Sequence, residues 1–462
     1  MKISKLFLYS ILMVLPCMAS SAERPNVLLI AVDDLNDFPT FVNRYPDALT
    51  PNMDRLAESG TVFTKAICQF PLCGPSRASI MTGMHPSTLG FSGHMKDPEV
   101  QERAIELGTK TLHTYFSDQG YKTMSVGKIF HNSVPKGTVD ESGGRGGFST
   151  PVGKLKKNWH QNRTSTDWAA VPNELEEKFP DYKSAQWAVE KLQEKHDKPF
   201  LLMVGILNPH VPWYAPQKYF DLYDKDKLTL PAFKKDDLDD IPQAGLDISI
   251  LSQMPRTDWA IANKQWRNIL HAYLACTSFA DAQVGKVLDA LAASPYADNT
   301  IIVLYSDHGY HMGEKNTFQK QSLWERSTHV PVIIAGPDTK AGTRSDRVVS
   351  LIDIYPTLLE MAGLPANPKN EGRSLVPLLK QPSRDWPYPA LTGWVKGSFS
   401  VQTENYHYIR YEDGSEELYD HQNDLNEFNN QANNPEYAKI KDQLAAALNS
   451  MLKEHAGGHD NR

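Results

Sequence analysis

Asn26-Val27-Leu28-Leu29-Ile30-Ala31-Val32 runs directly into Asp33-Asp34, an apolar stretch closed by two adjacent carboxylates. A strand with one wet face alternates apolar and polar side chains. A run without alternation predicts a strand buried on both faces, as in a parallel sheet covered by helices. Thr300-Ile301-Ile302-Val303-Leu304-Tyr305 repeats the design and ends in Ser306-Asp307-His308-Gly309. Phe200–Ile206 and 330–335 read the same way, with a shorter run at 123–126. Helical patterns lie between them at 52–59, 111–119, 184–195, 266–293 and 353–361. This alternation predicts an α/β fold with a large mixed, mostly parallel sheet sandwiched by helices. Ligands of such sheets bind beyond the carboxyl ends of the strands, where Asp33, Asp34, Asp307 and His308 all fall.

After about residue 380 the texture changes. Segments 398–402, 406–411 and 416–419 read as short antiparallel strands, and 435–454 as an amphipathic helix. They predict a small C-terminal α+β subdomain over 381–462, behind a main domain over 23–380. Residues 1–22 differ again. Lys2 and Lys5 precede an apolar stretch from Leu6 to Leu15 and the small residues Ser20-Ser21-Ala22, the pattern of an export signal too short to span a bilayer. Its removal takes away two positive charges, moving the formal charge of the 462-residue chain from −7 to −9. So acidic a surface argues against nucleic acid, and an anionic substrate must be received by a local cluster of cations. Cys68, Cys73 and Cys276 remain after Cys17 is lost, and whether Cys68 and Cys276 pair is open.

Cys73-Gly74-Pro75-Ser76-Arg77-Ala78-Ser79-Ile80-Met81-Thr82-Gly83 places a cysteine at a helix start, with Pro75 in the first turn and Gly83 at the end. Backbone N–H groups and the helix dipole favour an anion there, and a thiol so placed has a depressed pKa. Three carboxylates and a histidine converging at strand ends repel one another without a cation. Oxygen-rich ligation selects a hard divalent ion, with calcium's flexible shell the better fit. Lys128 and His131 lie three apart and share a face. His210 stands between two prolines after the Phe200–Ile206 run. His311, just past Gly309, is expected at the pocket mouth in contact with substrate, and His94 is read likewise. Segment 136–157, rich in glycine and locally basic, reads equally as a lid or as a solvated loop.

The Cys73–Gly83 run resembles the C-x-P-S-R-x-x-x-[LM]-T-G signature of formylglycine-dependent type I sulfatases of the alkaline phosphatase superfamily. Val32-Asp33-Asp34-Leu35-Asn36, Gly127-Lys128-Ile129-Phe130-His131, Asn208-Pro209-His210-Val211-Pro212 and Asp307-His308-Gly309-Tyr310 resemble the iduronate-2-sulfatase-like subgroup. The resemblance implies that Cys73 is oxidised to formylglycine (3-oxoalanine) by a formylglycine-generating enzyme. It implies one calcium ion held by Asp33, Asp34, Asp307, His308 and the modified Cys73. Arg77, Lys128 and Lys320 would hold the sulfate, His210 would protonate the leaving oxygen, and His131 would act on the aldehyde hydrate. The implied substrate is a sulfated carbohydrate, such as a 2-O-sulfated uronate or an algal polysaccharide unit. An enzyme of this kind, with an export signal, is expected in the periplasm or secreted, without stable membrane association. The alternatives are a phosphodiesterase or phosphonate monoester hydrolase of the same superfamily, or a non-catalytic binder of sulfated glycans.

Overall fold

The computed structural model describes residues 24–456 apart from 92, 146–149, 154, 156, 160–165 and 250–253. The expected export signal at 1–22 and Cys17 therefore lie outside the described residues. The strands in chain order are β1 (Asn26–Val32), β2 (Thr61–Ile67), β3 (Lys122–Gly127), β4 (Glu141–Gly144), β5 (Trp168–Val171), β6 (Phe200–Ile206), β7 (Trp213–Pro216), β8 (Thr300–Ser306), β9 (His329–Ala335) and β10 (Thr343–Ser350). They are followed by β11 (Ala390–Trp394), β12 (Ser398–Gln402), β13 (Tyr406–Arg410) and β14 (Glu416–Asp420).

Eight strands form one sheet in the order β10-β2-β9-β8-β1-β6-β3-β4. β1 lies near its middle, parallel to both neighbours, with Val27 opposite Leu201 on one side and Ile301 on the other. Its side chains enter two cores. Val27, Leu29 and Ala31 pack with Ile80 and Met81 of the helix α2 (Cys73–Thr82). Leu28, Ile30 and Val32 pack against the helix α1 (Pro51–Ser59) and the long helix Trp266–Ala292. With a core on each face, β1 is apolar from Val27 to Val32, and its one polar residue, Asn26 at the start, is satisfied by Asn299 O and Phe200 N. β9 runs antiparallel to β2 and β8, so the sheet is mixed. The carboxyl ends of β1, β2, β3, β6 and β8 nevertheless share one edge of the molecule.

Strands β2, β10 and β4 carry no apolar-run signal. Both β10 and β4 are sheet edges. β10 carries Arg344, Asp346 and Arg347, charges that suit an unpaired border. β4 falls inside the glycine-rich segment expected to be a lid or loop, so part of that segment is sheet. The helix expected over 184–195 starts earlier, at Pro180, because Pro at the first helical position costs no hydrogen bond. Cys68 and Cys276 are separate buried thiols, not a disulfide.

β11 to β14 make a four-stranded antiparallel meander. Alternate residues face opposite ways. Tyr408 and Leu418 meet Leu444 and Leu448 of the helix Ala438–Ala456, while Ile409 and Tyr419 meet Leu323 and Trp324 of the larger unit. The small sheet is thus a middle layer with both faces covered.

Asp281, inside the long helix, caps α1 from outside. Its carboxylate accepts from Met53 N at 2.8 Å, Asn52 N at 3.2 Å and Asn52 Nδ2 at 2.8 Å. Asp281→Ala strips these first-turn donors of their acceptor and is expected to cost about 1–2 kcal/mol. Urea unfolding should show a lower midpoint with an unchanged slope.

Candidate active site

α2 begins at Cys73 and ends on Gly83, whose φ of 67° closes the helix with its N–H on Ser79 O. All ten residues of α2 are buried, so the helix is walled in and its N-terminus points into the sheet edge. Three elements meet there. Cys73 Sγ lies 3.2 Å from His308 Nε2, 3.9 Å from Asp34 Oδ1 and 3.0 Å from Lys320 Nζ. Donor atoms of Asp33, Cys73, Asp307 and His308 fall within 4.8 Å of one another, as do those of Asp33, Asp34, Cys73 and His210. The strand-end aspartates and His308, the helix-start cysteine and His210 from another segment therefore share one place.

Local backbone geometry sets this convergence. Asp34 adopts a left-handed φ of 59° as β1 ends. Tyr273 holds that turn by donating to Asp34 O at 2.9 Å and accepting from Asn36 N at 2.9 Å. Next door, Gly127 and Gly205 pair across β3 and β6. A Cβ on Gly205 would sit 2.2–2.4 Å from the Lys128 backbone, so glycine there is what lets Lys128 cross the end of β6 into the site. Asp97 holds the following turn by accepting from His131 N at 3.0 Å and from Asn132 N and Ser133 N at 2.8 Å each. Asp181 holds the start of the His210 segment through Leu207 N at 2.6 Å and Asn208 N at 2.9 Å. None of these supports has a sequence signal, because each depends on a partner brought in by the fold.

Arg77 departs from expectation. Its side chain is completely buried, and Nε donates to Asp307 Oδ2 at 2.8 Å while Nη2 donates to Asp33 Oδ1 at 3.1 Å. Nη1 donates to the carbonyls of Lys128 and Ile129. With its fork committed to two carboxylates and the β3 turn, Arg77 braces the site from beneath and does not face an incoming anion. His311 departs too. It is buried, bonded through Nε2 to Ser322 Oγ at 3.0 Å and packed edge-on against Trp324, so it does not reach a pocket mouth. His94 is exposed and packs against His131 at 4.3 Å between ring centres with the rings tilted by 30°, beside Gly74.

The charges are strongly coupled by burial. Burial opposes ionisation of Asp33, but Lys128, His210, Arg77 and Lys320 hold its carboxyl well below the usual range. Burial pushes Asp307 up to about 6 against the pull of Arg77 and His308. Burial would lower His308, yet the Asp307 carboxylate raises its imidazole to about 9. Burial and Asp33 would raise the Cys73 thiol, but Lys128, Lys320 and His308 together hold it well below the ordinary value. Burial and Lys128 push His131 down to about 3, leaving the ring neutral at pH 7. Arg145, from the glycine-rich segment, lies within electrostatic reach of Asp33 and Cys73. Asp34 Oδ2 is buried with no hydrogen-bond partner among the described residues. An unsatisfied carboxylate oxygen beside two more carboxylates fits a hard divalent cation.

A family model described as Sulfatase matches residues 25–364, and one described as N-sulphoglucosamine sulphohydrolase, C-terminal, matches residues 313–454. The chain is 45% identical over 443 residues to a protein named Sulfatase from Formosa agariphila, covering 92% of this chain and 86% of that one. It is 30% identical over 407 residues to human iduronate 2-sulfatase, covering 76% and 71%. The solved phosphonate monoester hydrolase of Agrobacterium radiobacter has the same fold, with a TM-score of 0.75 at 21% identity over 94% of this chain and 96% of that one.

The Cys73 environment can be probed wherever the residue retains its thiol. Lys320→Ala removes a cation 3.0 Å from Sγ, which raises the thiol pKa and shrinks the thiolate fraction near neutrality. Alkylation of Cys73 at pH 7 should slow severalfold and recover at pH 9, while Cys68 and Cys276 stay unlabelled until the protein unfolds. Mass spectrometry of the labelled peptides measures all three.

Proposed function

Because the chain belongs to the sulfatase family, as a type I sulfatase of the alkaline phosphatase superfamily, we propose that this sulfuric ester hydrolase removes sulfate from a sulfated carbohydrate, using a formylglycine made from Cys73 and one calcium ion. The observation that carries this reading is the placement of Cys73 at the start of a buried helix, facing Asp33, Asp34, Asp307 and His308, with Lys128 and Lys320 beside it. A binder of glycans would have no need of a walled-in cysteine in that setting. The names of relatives that act on sulfated sugars, human iduronate 2-sulfatase and the ulvan-active sulfatase of Formosa agariphila, support a carbohydrate substrate.

Calcium, when bound, would be held by Asp33, Asp34, Asp307 and His308 and would polarise sulfate oxygens; formylglycine would supply a hydrated aldehyde whose oxygen is the nucleophile. The chain's own residues account for the rest. Lys320, 3.0 Å from the Cys73 sulfur, and Lys128, within electrostatic reach of it, would draw in the sulfate oxygens. His210, with a ring nitrogen within 4.8 Å of the Asp33, Asp34 and Cys73 donor atoms, would deliver a proton to the departing sugar oxygen. His131 is neutral at pH 7, but the burial that keeps it so also weakens it as a base, so it would take a proton only as negative charge develops on the departing sulfate. Arg77 keeps Asp33 and Asp307 ionised and aimed. His94, beside Gly74, and Arg145, within electrostatic reach of Cys73, would meet the rest of the glycan. The main domain would span 23–380 and the C-terminal subdomain 381–462, and an exported enzyme acting outside the cytoplasm follows from the leader pattern. No helix among the described residues is long and apolar enough to cross a membrane.

Three results test the reading. Cys73→Ser should lose turnover by several orders of magnitude, since a serine ester lacks the second hydroxyl needed to expel sulfate; full activity in that variant would refute the scheme. Peptide mass spectrometry of active enzyme should find an aldehyde in place of the thiol. Prolonged chelation should abolish sulfate release from a panel of defined sulfated oligosaccharides, with calcium restoring it. Faster hydrolysis of matched aryl phosphate or phosphonate esters would favour the phosphonate hydrolase alternative.

A further inference from the structure

Lys320 reaches the site from a segment with almost no regular structure. Between β8 and the short helix Glu325–Thr328, the described chain contains one 3-10 turn, Glu314–Asn316. Three non-glycine residues there hold left-handed backbone: Lys315 at φ 51°, Asn316 at φ 55° and Gln321 at φ 41°. Such residues are held there only by surrounding structure. Much of that hold comes from the small sheet. Five residues before Lys320, Lys315 Nζ donates to the carbonyl of Glu427 and to Asp237 Oδ1. Four residues after it, Trp324 Nε1 donates to Glu417 Oε2 at 2.8 Å. Five after it, Glu325 N donates to Glu427 Oε2 at 2.9 Å.

Both glutamates are buried, and each of their carboxylate oxygens accepts at least one hydrogen bond. Glu417, on β14, also accepts from the hydroxyls of Tyr411 and Tyr419. Glu427, on the turn after β14, takes His407 Nδ1 at 2.6 Å and His421 Nε2 at 2.9 Å on Oε1. These three side chains lie close enough to hold a metal ion. Two N–H donors on one oxygen already satisfy its lone pairs, however, and account for the cluster without one. The two carboxylates therefore hold the chain just after Lys320, at Trp324 and Glu325, while the backbone carbonyl of Glu427 takes Lys315 on the other side.

We propose that Glu417 and Glu427 are positioning residues for Lys320: they fix the 314–325 backbone so that its ammonium stays on Asp34 and Cys73. This rests on the proposed role of Lys320 in sulfate transfer. Neither glutamate touches the reacting atoms. Their effect passes through backbone placement, where an error of about 1 Å can cost up to about 100-fold in rate.

The test has two arms. In amide hydrogen exchange, Glu427→Gln should raise exchange in peptides covering 310–326 and leave β1 and α2 unchanged; this arm reads positioning even in a protein that releases no sulfate. Unchanged exchange in 310–326 would overturn the proposal. In the second arm, sulfate release is measured for Glu427→Gln, Lys320→Ala and the double variant. Glu427→Gln should lower kcat about 10- to 100-fold with little change in KM, and should add less than about twofold once Lys320 is gone. Equal losses in both backgrounds would assign Glu427 a general structural role and sink the idea. An unmodified protein that releases no sulfate would instead count against the proposed function. Should Glu427→Gln fail to fold, Glu417→Gln keeps the side chain's shape while removing the charge that takes the Trp324 indole N–H, and the same two readouts apply with smaller effects: a kcat loss of a few fold that vanishes without Lys320 supports the proposal, and one that persists overturns it.

Discussion

A single guanidinium holds the catalytic edge together. Arg77 bonds one carboxylate at the end of β1, another at the end of β8 and two carbonyls past the end of β3, from a helix that starts with Cys73. Asp33, Asp34 and Asp307 are all fully buried, and uncompensated charges in such a place cost several kcal/mol each. Arg77, Lys128 and Lys320 supply the compensating charge. Removing one partner of a buried pair typically costs about 3–5 kcal/mol, because it strands the other. The site is therefore a folding constraint as well as a chemical one: strands, helix and charges must assemble together.

Much of this was legible in the chain because each signal is local. The apolar runs at 26–32 and 300–305 have only one stable environment, a strand covered on both faces, and the polar residues that end them must then stand at the sheet edge. Cys73, Pro75 and Gly83 mark a helix start and stop through backbone geometry alone. What stayed hidden depends on distant partners. β10 borders solvent, and β2 breaks its apolar pattern with Thr61, Thr64 and Lys65, whose side chains pair with Thr343, Asp346 and the Glu404 carbonyl. The supporting contacts of Tyr273, Asp97 and Asp181 cross tens to hundreds of residues. Arg77 was recognised by position yet misjudged in orientation, because a motif names a residue without saying which neighbours will saturate it. His311 failed for a related reason: closeness in sequence to the Asp307-His308 pair does not fix on which side of the loop a side chain lies.

The site also divides by origin. Its acidic half stands on β1 and β8, central strands that are rigid by burial. Lys320 stands on an irregular excursion whose shape is imposed by a second sheet. That sheet is a middle layer, using one face to bury a helix and the other to press on the excursion.

Glu417 and Glu427 also lie late in the chain, 93 and 102 residues beyond the groups they hold at Trp324 and Glu325. A growing polypeptide thus makes every carboxylate of the catalytic edge, and Lys320 itself, long before the parts that hold Lys320 in line. Alignment of Lys320 waits on residues made 93 and 102 positions after the groups they hold, and a chain interrupted between them would carry Lys320 without those contacts.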